Sequence, residues 1–219
     1  MPHAWTWVTE LGNSKWLLPA AALLIAIAWH SRTLPGRTAV HVGLAILSTS
    51  MVVLASKIAF MGWGIGSAAL DFTGFSGHAA MSACIYPLLF AVLGTGRKAA
   101  RGLPLAGFAL AALIAWSRLP LQAHSLSEVV GGFLLGAAGS ILVLRHWPWH
   151  RPPLPAWRWL AAGPSAVVVL ILALPSSLST HGAVIAVAKA LSGRHEIHTR
   201  DWLHTHSAKP AQERINPLT

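Results

Sequence analysis

Six apolar runs separated by short polar segments dominate the pattern of this chain. They cover about residues 15–30, 38–60, 78–94, 103–117, 125–144 and 157–175. A helix that crosses a bilayer needs roughly 20 predominantly apolar residues, and the first and fourth runs reach that length only with interfacial residues counted at their ends. The pattern therefore predicts an all-α integral membrane bundle of about six transmembrane helices.

The chain after residue 175 follows a different pattern. Residues 182–191 are apolar but too few to cross a bilayer alone, which favours a short interfacial helix followed by a mobile polar tail. The predicted organisation is a six-helix transmembrane domain over 1–175 and an interfacial helix with a polar C-terminal tail over 176–219. A seventh crossing that returns the tail to the cytoplasm remains an alternative.

Composition supports the membrane interpretation. Of the 219 residues, 54% are hydrophobic and only 10% are charged, whereas about 25% are charged in a typical soluble domain. The formal net charge of +10 comes from bases in short loops between apolar runs rather than on a polar surface with interleaved aromatic residues. We therefore expect a lipid bilayer as partner, and no nucleic acid.

The positions of lysine and arginine predict the orientation in the membrane. Most of those before the tail lie in the loops after the first, third and fifth runs: Arg32, Arg37, Arg97, Lys98, Arg101, Arg145, Arg151 and Arg158. Positively charged loops face the cytoplasm. The opposite ends of the runs, which hold Lys57, His78, Arg118 and His124, then face outward. This predicts a multi-pass protein of a bacterial-type inner membrane with its site on the periplasmic side.

Acidic residues are scarce, and two of them lie beside histidines. Asp71 and Glu128 are the only acids between Asn13 and His195. Charge inside a membrane is costly, and it is usually paired or functional. If the fifth run is helical, His124 and Glu128 lie one turn apart on the same face, so the carboxylate can hold the imidazole ring and determine which nitrogen reacts.

The remaining polar residues on this side suit an anionic ligand. Lys57 and Arg118 would bind an anion, the arginine in bidentate fashion. Ser76 and the backbone N–H groups of Gly77 and His78 would form a helix N-terminus, which favours negative charge. One histidine can attack phosphorus while the other protonates the leaving oxygen. This chemistry points to a phosphate ester or anhydride.

Three motifs, in order, carry a family resemblance: Lys57; Phe75-Ser76-Gly77-His78; and Ser117-Arg118 followed by His124 and Glu128. The chain resembles the type 2 phosphatidic acid phosphatase (PAP2) superfamily. That family has a lysine-led segment ending in Arg-Pro, a Pro-Ser-Gly-His segment, and Ser-Arg, five residues, His, three residues, Asp. The third motif matches in spacing throughout and is the most specific of the three.

The resemblance implies a role for each matching residue. His124 would be the nucleophile that forms a phosphohistidine, His78 the general acid, and Glu128 the residue that orients His124. The phosphoryl oxygens would be held by Lys57, Ser76, Gly77 and Arg118. No metal or other cofactor is expected. Asp71 and Ser117 are candidates for supporting roles, although the resemblance assigns none to Asp71.

This chain departs from the family pattern at three points. Gly64-Ile65 stands where the first motif has Arg-Pro, and Phe75 replaces the proline of the second motif. Glu128 replaces aspartate and is one methylene longer. We expect that longer side chain to shift His124 unless the helix compensates.

The expected function is that of a metal-independent membrane phosphatase acting on a lipid phosphate or diphosphate. Candidate substrates are an isoprenoid diphosphate, phosphatidic acid and phosphatidylglycerol phosphate. The alternatives are a lipid phosphoryl or headgroup transferase and a non-catalytic protein that binds a lipid phosphate. Four tail histidines, His195, His198, His204 and His206, do not follow a zinc-ligand pattern and are expected to be solvated.

Overall fold

The computed structural model describes residues 2–31, 34–98, 101–152 and 180–206. These residues form seven helices of nine residues or more: α1 (Pro2–Glu10), α2 (Ser14–His30), α3 (Gly36–Trp63), α4 (Gly77–Gly94), α5 (Leu103–Ser117), α6 (Leu126–Arg145) and α7 (Thr180–Ser192). A shorter helical segment follows at 200–206. The described ranges contain no strand beyond one isolated bridge, so the all-α prediction is confirmed for them.

Four helical stretches are long and apolar enough to cross a membrane: Ala4–His30, Gly36–Trp63, Gly77–Gly94 and Leu126–Arg145. The first of them combines most of α1 with α2, and the other three are α3, α4 and α6. Helix α5 is apolar but has only 15 residues. The sixth predicted run, about 157–175, lies outside the described residues. Four of the predicted crossings therefore meet the length requirement within the described part, and together they indicate a membrane protein.

The outer faces of these helices are themselves apolar. Leu44, Leu47 and Met51 on α3 are more than half exposed, as are Leu134 and Leu142 on α6. Such side chains would destabilise a helix surrounded by water, but lipid tails are as apolar as leucine. The exposed faces are therefore suited to contact with lipid, and close packing between helices has to hold the bundle together.

Helix α4 lies at the centre of the bundle, between α5 and α6. Gly132 and Gly136 of α6 face its backbone, and a Cβ atom on Gly132 would lie 2.7 Å from Ser76 O, too close for a real side chain. Small residues allow membrane helices to approach this closely. The approach joins the N-terminal ends of the two helices, where the Ser76 N–H donates to Glu128 O at 3.0 Å.

The C-terminal segment after α7 folds back against the end of α3. The backbone N–H of His198 donates to Met61 O at 2.9 Å, and Trp202 lies over Gly64. The expectation of solvated tail histidines was therefore wrong for His198, which is only 8% exposed, whereas His195, His204 and His206 are exposed. The physical reason is local: glycine at position 64 leaves space that the tail fills.

Candidate active site

The polar residues predicted to form a site lie at one end of the bundle. Lys57 is near the end of α3, His78 is in the first turn of α4, Arg118 follows α5, and His124 precedes α6. At the other end, the rings of His41 and His146 bring the start of α3 near the end of α6. The alternating direction of the helices thus separates the site from most of the basic loops.

These residues line a single cavity of about 660 Å³. Its polar wall contains Lys57, Gly77, His78, Arg118 and His124. Its apolar wall comes from several helices and includes Leu17, Leu18, Val53, Leu54, Phe60, Met61, Met81 and Val184. Cavities of this size and mostly apolar character, with a few convergent polar groups, are typical ligand sites.

The start of α6 holds His124 against Glu128. Ser125 is the N-cap, and its hydroxyl accepts from the Glu128 N–H while the Glu128 carboxylate accepts from the Ser125 N–H. This capping box favours glutamate at the third helical position. His124 lies two residues before the helix, and its Nδ1 is 2.7 Å from Glu128 Oε2. With Nδ1 donating to the carboxylate, Nε2 is left for chemistry.

Glu128 is fully buried, and both of its carboxylate oxygens are hydrogen-bonded. Oε1 accepts from Thr73 N at 2.7 Å and from Thr73 Oγ1 at 2.5 Å. Oε2 accepts from His124, from Ser125 N and from Arg200 Nη2 at 2.8 Å. A buried carboxylate needs such partners to remain ionised at acceptable cost. The longer side chain therefore reaches His124 within an extensive set of contacts.

Burial determines the protonation state of the nucleophile candidate. It lowers the pKa of His124 below the usual value and outweighs the opposing effect of the hydrogen bond to Glu128; the nearby charges of Lys57 and Arg118 lower it further. The imidazole is therefore neutral at neutral pH, as a nucleophilic nitrogen must be. Burial also lowers the pKa of Arg118, but an arginine remains cationic under these conditions.

The end of α1 and the turn after it lie beside the cavity, which Gly12 lines. Arg118 Nη1 donates to Thr9 Oγ1 of α1 at 2.6 Å, and its buried Nε has no hydrogen-bond partner among the described residues. Gly12 lies so close to His78 that a Cβ atom there would be 2.9 Å from its ring. No motif in residues 1–13 indicates a role at the site.

Neither of the two serines predicted at the site lines the cavity. Ser76 is fully buried behind Gly77, and its Oγ has no partner within the part of the chain that the structure describes. Ser117 is also buried, and its hydroxyl donates to Ile114 O at 2.6 Å within α5. Of the second motif, Gly77 and His78 are the residues that face the cavity.

Two departures from the family pattern have structural explanations. Phe75 donates its backbone N–H to Ser56 Oγ at 3.1 Å, which a proline could not do. Gly64 ends α3 with φ +71°, and a Cβ atom there would lie 2.7 Å from the Trp202 ring. An arginine at position 64 would thus be strained and would collide with the C-terminal segment.

That segment contributes a site residue, Arg200, that lies outside the three motifs. Arg200 lines the cavity and forms ion pairs with both Asp71 and Glu128. Asp71 therefore pairs with Arg200, and also with His204 Nε2 at 2.8 Å. Because charge inside a membrane is usually paired, a partner is expected for Asp71 and for Glu128. Nothing in the local sequence pattern distinguishes Arg200 from the other bases of the tail. No cluster of three or more potential metal ligands occurs within the described ranges.

Comparison with known proteins agrees with the motifs. A family model described as the PAP2 superfamily matches residues 38–152, more than half of the chain. A Klebsiella pneumoniae protein described as "Uncharacterized 22.5 kDa protein in cps region" is 46% identical over 148 residues, which is 64% of this chain and 68% of that protein. No solved structure matches the chain. The matched family range includes every motif residue from Lys57 to Glu128 and excludes Arg200.

Proposed function

Because this chain belongs to the PAP2 superfamily, we propose that it is a membrane phosphatase that hydrolyses a lipid phosphate or diphosphate through a phosphohistidine. Membership alone suggests phosphatase-type activity. The observation that carries the finer proposal is the 2.7 Å contact between His124 Nδ1 and Glu128 Oε2. It lies at a cavity that also presents His78 and two cationic side chains.

The proposed reaction has two steps. His124 Nε2 attacks phosphorus, the bond from phosphorus to the leaving oxygen breaks, and His78 donates a proton to that oxygen. A water molecule then attacks the phosphorus of the phosphohistidine, the bond from phosphorus to His124 Nε2 breaks, His78 takes the water proton, and inorganic phosphate leaves. Lys57, Arg118 and the Gly77 N–H would stabilise charge on the phosphoryl oxygens. Glu128 would hold His124 and balance the positive charge that forms on its ring.

The lining of the cavity supports a lipid substrate. The polar groups lie where several spanning helices begin or end, which is the level of lipid headgroups. The neighbouring apolar wall, with residues such as Leu18 and Leu54, suits an acyl or prenyl chain. An isoprenoid diphosphate, phosphatidic acid and phosphatidylglycerol phosphate all combine these features. The distribution of basic loops favours the outer, periplasmic side of a bacterial inner membrane.

Phosphate release tests this proposal. The purified protein in detergent micelles is incubated with each of the three lipids in the presence of EDTA, beside His124→Ala. We expect EDTA-resistant release by the wild-type protein and a loss of about 10³-fold or more in the variant, since removal of a nucleophile has effects of that order. Full activity in His124→Ala would contradict the mechanism. Labelled phosphate recovered on a second lipid would instead indicate transfer, and saturable binding without turnover would indicate a non-catalytic protein.

A further inference from the structure

Arg200 connects two carboxylates that come from different parts of the chain. Its Nη2 donates to Glu128 Oε2 at 2.8 Å, on the same oxygen that His124 contacts. Its Nη1 forms an ion pair with the Asp71 carboxylate and donates to Asp71 O at 3.1 Å. Arg200 therefore lies directly behind the pair that contains the proposed nucleophile.

Asp71 and the segment that carries Arg200 are both held in place by further contacts. Asp71 has φ +48°, a left-handed conformation that aspartate tolerates better than most residues, and its backbone and side chain both accept from Arg200. On the other side, Trp202 packs over Gly64, and His198 is hydrogen-bonded to Met61. The guanidinium is thus held by the loop before α4, and the segment that carries it is held by the end of α3.

The charge balance argues against Arg200 as a phosphate ligand. Two carboxylates already contact its guanidinium, so an incoming phosphate would compete with them and would meet their negative charge. Lys57 and Arg118 have no ion pair with an acid among the described residues. The cationic groups free to bind phosphate are therefore those two, and Arg200 has a different role.

We propose that Arg200 is a positioning residue, which keeps the Glu128 carboxylate ionised and aimed at His124 Nδ1. Docking of residues 193–206 on α3 brings it there. The proposal rests on the proposed function and adds to it a segment outside the family match. Without Arg200, the buried Glu128 loses its ion pair with a cationic side chain, and the hydrogen bond that orients the His124 ring weakens.

The test compares full-length Arg200→Met and Arg200→Lys with the wild-type protein and with Lys189→Met, which removes an exposed positive charge on α7. Activity is measured on whichever of the three lipids the wild-type protein hydrolyses fastest. We expect kcat of Arg200→Met to fall about 10-fold to 100-fold, because a small misplacement of a reacting group has effects of this order. KM and inhibition by inorganic phosphate should change less than about threefold. Arg200→Lys should recover part of kcat, and Lys189→Met should match the wild-type protein.

A spectroscopic measurement tests the same inference without turnover. NMR of histidine-labelled protein in micelles, with the His124 signal assigned from His124→Gln, reports which ring nitrogen carries the proton. We expect Nδ1-protonated imidazole in the wild-type protein and in Lys189→Met, and a tautomer mixture in Arg200→Met. Thermal unfolding of each variant shows whether the fold is retained.

Several outcomes would overturn the inference. An unchanged kcat and tautomer in folded Arg200→Met would do so, as would a raised KM with weaker phosphate inhibition, which would make Arg200 a phosphate ligand. If Arg200→Met fails to fold, Asp71→Asn tests the same connection, since it loosens Arg200 and should alter the tautomer. Absence of hydrolysis in the wild-type protein would contradict the proposed function, while the tautomer measurement would still decide the role of Arg200.

Discussion

His124 Nδ1 lies 2.7 Å from Glu128 Oε2, although His124 precedes helix α6 instead of lying within it. The contact depends on the capping box, which turns the Glu128 side chain back toward the residues before the helix. Glutamate is well suited to this third helical position, because its side chain, one methylene longer than that of aspartate, reaches back to His124. The replacement of the family aspartate is thus matched by the local geometry.

Glu128→Asp, which restores the family residue, should lower activity in this chain. The shorter carboxylate would withdraw from His124, Thr73 and Arg200 at once, because all three contact the longer side chain. We expect kcat to fall about 10-fold or more, since misplacement by an ångström has effects of that size. Phosphate release under saturating lipid measures this, and activity equal to or above wild type would show that the longer side chain is not required.

The acid limb of the pH profile should lie below the usual range for histidine. The protonated imidazole cannot attack phosphorus, so kcat/KM falls as the pH drops through the pKa of His124. Burial lowers that pKa from its ordinary value of 6.5, which moves this loss of activity to lower pH. The dependence of kcat/KM on pH reports groups of the free enzyme. A midpoint above about pH 7 would contradict the assignment of His124.

Gly64→Arg, which restores the first residue of the family Arg-Pro pair, should destabilise the protein instead of activating it. A side chain at φ +71° costs about 1–2 kcal/mol, and it would also displace Trp202. We expect a lower unfolding temperature in detergent and reduced kcat, since the displaced segment carries Arg200. Two further variants serve as comparisons. Gly64→Ala keeps the backbone strain but adds a smaller side chain. The double variant Gly64→Arg with Trp202→Ala removes the ring that the arginine would displace. Increased activity in the single variant would refute the prediction.

Gly136→Ala should destabilise the bundle because α6 lies against the backbone of α4 at Ala80. Adding even one methyl group to a tightly packed contact forces a shift that typically costs about 1–3 kcal/mol. Gly43→Ala on α3 is the matched control, since a Cβ atom there meets nothing within 4 Å and alanine favours the helix. Unfolding by denaturant in mixed micelles compares the two. Equal stability of both variants would show that close contact at Gly136 is not needed.

Much of the fold could be predicted from the sequence because the signals are local. Long apolar runs predict membrane helices from composition alone, and α2, α3, α4 and α6 lie where those runs lie. The spacing of Arg118, His124 and Glu128 is likewise a local property, and the family resemblance that it carries is confirmed by the match over residues 38–152. The spacing of Gly132 and Gly136 on α6 is typical of close helix packing, but it does not indicate which helix they contact.

The sequence by itself therefore determined the membrane class, the family and the main residues of the candidate site, since each depends on patterns within a few turns of chain. Only the tertiary structure decided that Ser76 is buried away from the cavity, that Gly12 after α1 packs against His78, and that Arg200 reaches Glu128. Arg200 and Glu128 are 72 residues apart. No local pattern encodes a contact between residues so distant, because it depends on how α3, α6 and the C-terminal segment pack in space.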